Sequence, residues 1–183
     1  MTTSNSLTST SKFLSLVLRH EPQRIGLSLD AAGWVAIDEL LAKAALASKQ
    51  ISRDTLLHIV ATCEKQRFAL SEDGTRIRAN QGHSVEVELG LPPQVPPDVL
   101  YHGTASRSVD SIRQGGLHRG ARHHVHLTEQ PTTAVTVGQR YGAPAILRVD
   151  ARRMHQAGHV FFCTANQVWL CDAVPPEFIE VLP

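Results

Sequence analysis

Residues 67–79, RFALSEDGTRIRA, decide how the first half of this chain is read. Two short β-prone runs flank Asp73-Gly74, a dipeptide suited to the positive φ of a tight hairpin. Three amphipathic segments precede it. KFLSLVLRH (12–20) carries Phe13, Leu14, Leu16, Val17 and Leu18 on a broad apolar face, with Thr10 or Ser11 as a candidate N-cap. IDELLAKAAL (37–46) places Ile37, Leu40, Leu41 and Ala44 together. SRDTLLHIVATCEK (52–65) has Ser52 at its cap and Asp54 near the positive end of the helix dipole. Three helices followed by a β-hairpin is the order of a winged helix-turn-helix. That architecture meets nucleic acid in some proteins and docks protein or merely scaffolds in others, so the order alone assigns no activity.

Past the hairpin, HSVEVEL (83–89) alternates Val85, Val87 and Leu89 with Glu86 and Glu88, the pattern of a half-buried strand. GLPPQVPPDV (90–99) follows, with four prolines in ten residues. It reads as a stiff linker and divides the chain into a lobe at 1–90, a proline-rich linker at 91–97 and a lobe at 98–183. The second half is a series of short strands, VLYHG, VHLT, AILRV, HVFF, VWLC and FIEVL. Two short helices lie near SVDSIRQGG and TTAVTVGQRYG, with Gly115 and Gly142 at C-cap positions. Such spacing predicts an α+β domain with a split sheet and argues against a doubly wound one.

The chain has 183 residues and a net charge of +1. A bulk electrostatic nucleic-acid binder would be far more basic, but a focused anion site remains open. From Asp98 onward there are eight Arg and no Lys, and the guanidinium fork suits phosphate. Cys63, Cys163 and Cys171 form no CxxC pair and are odd in number, against a disulfide scaffold or zinc ribbon. The opening MTTSNSLTSTSK lacks the basic start and apolar run of a secretory signal, and no stretch reaches membrane-spanning length. A cytoplasmic monomer without membrane association is expected. No GxGxxG or Walker loop occurs.

Several residues could carry chemistry. Arg19-His20 ends the first helix, where two cations also simply complement the dipole. Arg67 opens the first hairpin strand, as a solvated charge or a phosphate contact. In YHGT (101–104), Gly103 admits close backbone approach, while His102 and Thr104 offer hydrogen bonds, although a plain strand exit has the same composition. ARHHVHL (121–127) concentrates three histidines beside an arginine. If RHHVHLT is a strand, Arg122, His124, His126 and Thr128 share one face. Zinc would need a third ligand that the sequence does not offer nearby. In NQVWL (166–170), Val168 and Trp169 read equally as core.

Taken in order, SKFLSLVLRH, GW (33–34), RF (67–68), IRANQGHS, LYHGT, RHHVHLT, VGQRYG and VWL resemble the tRNA 2′-phosphotransferase (KptA) family over about residues 11–182. The resemblance implies an N-terminal winged-helix lobe that binds RNA and a C-terminal ADP-ribosyltransferase-like lobe that binds NAD⁺ as co-substrate, with no metal. The implied substrate is RNA, tRNA-like, carrying an internal 2′-phosphate. That phosphate attacks the nicotinamide ribose and expels nicotinamide, giving an ADP-ribosylated RNA intermediate. The ribose 2″-hydroxyl then attacks phosphorus, releasing 2′-OH RNA and ADP-ribose 1″,2″-cyclic phosphate. The family's catalytic Arg-His-Arg-Arg set falls on Arg19, His20, Arg67 and Arg122, the first three also binding the RNA phosphate. Its NAD⁺-binding positions fall on His102, Gly103, Thr104, His126 and Val168. His124 is then a support and His123 incidental.

Three departures stand out. Asn166-Gln167 replaces a frequent Asn-Gly, Tyr141 a frequent His, and His123 a frequent Gln. Two other readings stay open: ADP-ribosylation of a terminal nucleic-acid phosphate, and a winged-helix protein that binds NAD⁺ without turnover.

Overall fold

The computed structural model describes residues 2–183, with side chains from Ser6 onward. Two units emerge, Met1–Gly90 and Leu91–Pro183, each with its own apolar core.

In the first unit, helix α1 (Thr2–Arg19) begins earlier than its apolar stripe suggests. Thr10 and Ser11 therefore lie inside it, not at its cap. The Thr10 hydroxyl donates back to the Ser6 carbonyl at 2.9 Å, the i−4 bond that hydroxyl side chains make within helices. Leu14, Val17 and Leu18 are fully buried against α2 (Ile37–Leu46) and α3 (Arg53–Thr62), which contribute Ile37, Leu40, Ala44, Leu56 and Ile59. Each such aliphatic side chain contributes roughly 1.5–3 kcal/mol by leaving water. Ser52 caps α3, its hydroxyl accepting from the Thr55 amide at 3.1 Å.

The hairpin forms where Asp73-Gly74 places it. Strands β2 (Phe68–Leu70) and β3 (Arg76–Ala79) pair antiparallel with Phe68 opposite Ala79, and β1 (Val35–Ala36) adds to the far edge of β3. Gly74 has φ +65°, while Asp73 accepts from Ser71 Oγ and from both the amide and hydroxyl of Thr75. Those donors hold its carboxyl down at about 2.

Residues 83–89 do not form the expected strand. Their alternation records burial without pairing. Val87 packs on Gly33, where a Cβ would sit only 3.1 Å from Val87 Cγ1, while Glu86 and Glu88 face solvent. The Glu88 amide bonds the Ala31 carbonyl in a loop.

The second unit contains two three-stranded antiparallel sheets and a two-stranded one. The first sheet is β11 (Ile179–Val181), β7 (Pro144–Asp150) and β4 (Val99–Ala105), in that order. The second is β6 (Val125–Leu127), β9 (Trp169–Cys171) and β8 (Phe162–Cys163). β5 (Leu117–His118) pairs with β10 (Ala173–Val174). Tyr101 and Thr128 exchange backbone bonds of 2.7 and 2.9 Å and join the two larger sheets. Together the units give a mixed α and β protein of small antiparallel sheets, as an α+β class requires.

Three short helices complete the unit. α4 (Val109–Gly115) ends one residue later than expected, with Gly116 rather than Gly115 at its cap, at φ +79°. α5 (Pro131–Gly138) lies on β4. α6 (Ala151–Gln156) carried no signal beyond six residues of mixed polarity; Asp150 caps it by accepting from the Arg153 amide, and Ala151 and Met154 anchor it. HVFF is strand only at its last residue, because the proline-rich segment takes the preceding backbone: the Gln94 amide bonds the Phe161 carbonyl at 2.8 Å.

Candidate active site

A groove of about 660 Å³ runs along α1 in the first unit. Arg19, His20 and Arg67 all line it, with Lys12, Lys65 and Cys63 and the hydroxyls of Thr8, Ser11 and Ser15. Its cations outnumber its one carboxylate, Glu64, so the groove favours an anion. Residues 8, 12, 15 and 19 follow the i, i+4, i+7 spacing of one helix face. That spacing was available in the sequence, and reading it outward from Arg19 would have found Lys12.

Local contacts hold these cations. Arg19 Nη2 donates to the Arg67 carbonyl at 3.3 Å, joining the end of α1 to the start of β2. Arg67 Nη1 donates to Cys63 Sγ at 3.4 Å. The His20 ring meets Ser84 Oγ through Nδ1 at 2.9 Å. Cys63, Lys65 and Ser84 were not singled out from sequence; Ser84 gave no local signal, since it lies 64 residues from His20.

In the second unit Arg122 does not extend the strand that was expected from residue 122 onward. β6 starts at Val125, and residues 122–124 bend. Strand alternation therefore cannot put Arg122, His124 and His126 on one face. A direct bond links two of them instead: Arg122 Nη1 lies 3.0 Å from His126 Nδ1. A guanidinium only donates, so His126 Nδ1 accepts and its proton sits on Nε2. The His126 carbonyl in turn accepts from His102 Nδ1 at 2.9 Å, leaving His102 Nε2 as the ring's acceptor. Burial lowers the His102 pKa; the bond to the His126 carbonyl works against that, and the Arg122 charge adds to it. His102 is thus a neutral imidazole with a defined tautomer, joined through His126 to Arg122.

His124 turns elsewhere. It packs edge-on to Phe162 at 5.7 Å and faces Asp172 at 3.9 Å. Burial lowers its pKa more than Asp172 raises it. The His123 carbonyl accepts from Arg119. Among the described residues no three His, Cys, Asp or Glu side chains gather as metal ligands would.

Gly103 lies on β4 directly under α5. A Cβ there would fall 1.8 Å from the Ala134 carbonyl oxygen, so helix packing already demands glycine. Its backbone has a different outlook. Tyr101 exchanges its bonds with Thr128, away from β7. In an antiparallel strand residues two apart direct their N–H and C=O to the same edge, so Gly103 presents both on that edge, past Thr128. A planar amide could pair there. Thr104 follows on the same strand, half-buried.

Val168 lies two residues before Leu170, the register partner of His126. The buried Thr164 hydroxyl accepts from the Val168 amide at 3.1 Å. The turn leading to Val168 places Gln167 at φ +59°, the left-handed region where the frequent glycine of the resembled family would be unstrained. Trp169 is core, with its indole N–H on Glu129 at 2.8 Å.

Comparison with known proteins is consistent across the chain. The family described as RNA 2′-phosphotransferase, Tpt1/KptA, matches residues 5–173. The chain is 56% identical over 176 residues to a probable RNA 2′-phosphotransferase of Hahella chejuensis, covering 96% of this chain and 95% of that one. It is 57% identical over 171 residues to one from Burkholderia lata, covering 93% and 88%. A Pseudomonas aeruginosa relative of the same description is 55% identical over 175 residues, covering 95% and 96%.

Proposed function

Because the chain belongs to the RNA 2′-phosphotransferase, Tpt1/KptA family, we propose that it is an NAD⁺-dependent enzyme that removes an internal 2′-monophosphate from RNA. The observation that carries this reading is the gathering of Arg19, His20 and Arg67 in one groove. A 2′-phosphate dianion is the ligand such a set suits, because preorganised cations offset both its charge and the charge that develops at phosphorus.

Under this proposal residues 1–90 act as a winged-helix RNA lobe, supported by the three-helix and hairpin order. Residues 98–183 act as an ADP-ribosyltransferase-like lobe, supported by the split sheet. NAD⁺ is the second substrate and supplies an electrophilic ribose carbon with nicotinamide as leaving group. His102 Nε2, the Gly103 edge, Thr104, His126 and Val168 hold it. The RNA 2′-phosphate is already nucleophilic at neutral pH, so the first step needs positioning. An oxygen–carbon bond forms as the bond to nicotinamide breaks. In the second step the adjacent ribose hydroxyl displaces the RNA 2′-oxygen at phosphorus. The RNA oxygen takes a proton, and ADP-ribose 1″,2″-cyclic phosphate leaves. Arg19, Arg67 and Arg122 stabilise the phosphoryl charge, and His20 exchanges protons.

The test is incubation with NAD⁺ and an RNA bearing one internal 2′-phosphate, with products read by mass. Equimolar nicotinamide, cyclic phosphate and 2′-OH RNA are expected. Arg122→Ala should lower kcat about 100-fold or more while the protein stays folded. No nicotinamide release would refute NAD⁺ dependence. A stable ADP-ribosylated RNA that never yields cyclic phosphate would refute the second step, and a fully active Arg122→Ala would refute the role of Arg122.

A further inference from the structure

The segment Asn80–Ser84 lies outside the groove lining yet touches Arg19, His20 and Arg67. The Asn80 amide bonds the Arg67 carbonyl at 3.0 Å, and Asn80 Nδ2 bonds the neighbouring Gln66 carbonyl at 2.6 Å. Gly82, at φ +85°, lies against the Arg19 guanidinium, with its ideal Cβ position 3.7 Å from Nη1. The Ser84 and Val85 amides both close on the Arg19 carbonyl, at 2.9 and 3.3 Å, and so satisfy the C-terminal end of α1. The Ser84 hydroxyl then takes His20 Nδ1 at 2.9 Å.

The geometry points to Ser84 as the positioning residue for His20: its hydroxyl holds the imidazole by Nδ1 in both protonation states and so assigns Nε2 to the RNA phosphate. This rests on the reading of the groove as the 2′-phosphate site. The chemistry of the partner is what matters. A hydroxyl can accept from Nδ1–H. Proton exchange at Nε2 leaves that proton in place, so the same bond holds in the charged and in the neutral ring. A carboxylate in its place would add a negative charge and favour the charged ring. A group that must gain and lose a proton at Nε2 in each turnover is served by the uncharged acceptor. The backbone bonds to Arg19 fix the segment independently, so the hydroxyl can be altered while the support stays.

The experiment uses the full chain with Ser84→Ala, Ser84→Thr and Ser84→Asp, and His20→Ala as reference. Turnover on 2′-phosphorylated RNA and NAD⁺ is followed against pH, and the His20 ring nitrogens are titrated by ¹⁵N NMR. Ser84→Ala should lower kcat about 3- to 10-fold, the loss of one hydrogen bond in the transition state, with little change in KM for NAD⁺. Ser84→Thr should restore it. Ser84→Asp should raise the His20 pKa and move one limb of the pH–rate profile upward by the same amount. An unchanged profile and an unchanged His20 titration in Ser84→Asp, in a folded protein, would overturn the inference, as would a Ser84→Ala enzyme with parental kcat. Failure of the groove reading itself looks different: His20→Ala would then turn over normally.

Discussion

Replacing Gly103 by alanine separates packing from ligand contact at the residue where both were plausible. A Cβ on Gly103 would stand 1.8 Å from the Ala134 carbonyl oxygen, 2.6 Å from its carbonyl carbon and 2.9 Å from the Gly138 amide nitrogen. All three are backbone atoms of α5, so no side-chain rotation relieves them. Ordinary contact at about 3.5 Å requires the helix to recede by roughly 1.5 Å. Gly138 reinforces the constraint from the other side, since its own Cβ would fall 2.8 Å from the Thr104 carbonyl oxygen. Lifting α5 unpacks buried Ala134 and opens a void above β4. We expect Gly103→Ala to cost about 3–5 kcal/mol, the upper end for a single substitution. That corresponds to a Tm lower by roughly 10 °C or more. Gly120→Ala is the control: it has φ +59° but nothing within 4 Å, and should cost only about 1 kcal/mol. Calorimetry on the three proteins decides it. A Gly103→Ala protein that melts within about 2 °C of the parent but has lost NAD⁺-dependent turnover would refute the packing argument and leave ligand approach as the reason for glycine.

Other expectations follow from single contacts. Gln167→Gly should stabilise the protein by about 1 kcal/mol, because a left-handed residue regains an unstrained backbone; denaturant unfolding measures it, and no gain would mean the turn carries no strain. Thr164→Val should cost about 1–3 kcal/mol, because it removes the hydroxyl that the half-buried Val168 amide bonds; a neutral result would show that water replaces the hydroxyl. His102 and His124 are both held below the usual imidazole value of 6.5. The unfolded chain therefore binds more protons than the folded one as pH falls below 6.5, and stability should drop from there through the lowered folded values. His102→Gln should flatten that slope, as read from unfolding free energies on either side of about pH 6.5; an unchanged slope would assign the loss to other groups.

Local rules made much of the fold legible. The stripes of α2 and α3, the Ser52 cap and the Asp73-Gly74 hairpin appear where periodicity and turn chemistry put them, since those features depend on neighbours within a few residues. The misses share one cause. Apolar periodicity points to Thr10 or Ser11 as a cap because it starts after them, whereas the helix extends N-terminally through polar residues. Residues 83–89 alternate as a strand does, but alternation reports burial, and among the described residues no strand pairs with them. Arg122 was aligned with His126 by strand geometry that ends at Val125, and a guanidinium-to-imidazole bond links them instead. The candidate site was legible as residue types and as a family pattern. Lys12 was readable by helical spacing from Arg19, and Ser84 was not.

The sequence alone determined the helix faces, the hairpin, the abundance of short strands after the prolines and the family to which the chain belongs. Each of these is carried by spacing along the chain or by ordered motifs. Only the tertiary structure decided that Arg19 would bond the backbone of Arg67, 48 residues away, and that Ser84 would hold His20 across 64. It also decided that Gly103 must admit a helix. Such contacts depend on how the buried faces of α1, α3 and the hairpin strands, or of α5 and β4, come to rest on one another. That outcome belongs to the packing of the whole core, and no local period encodes it.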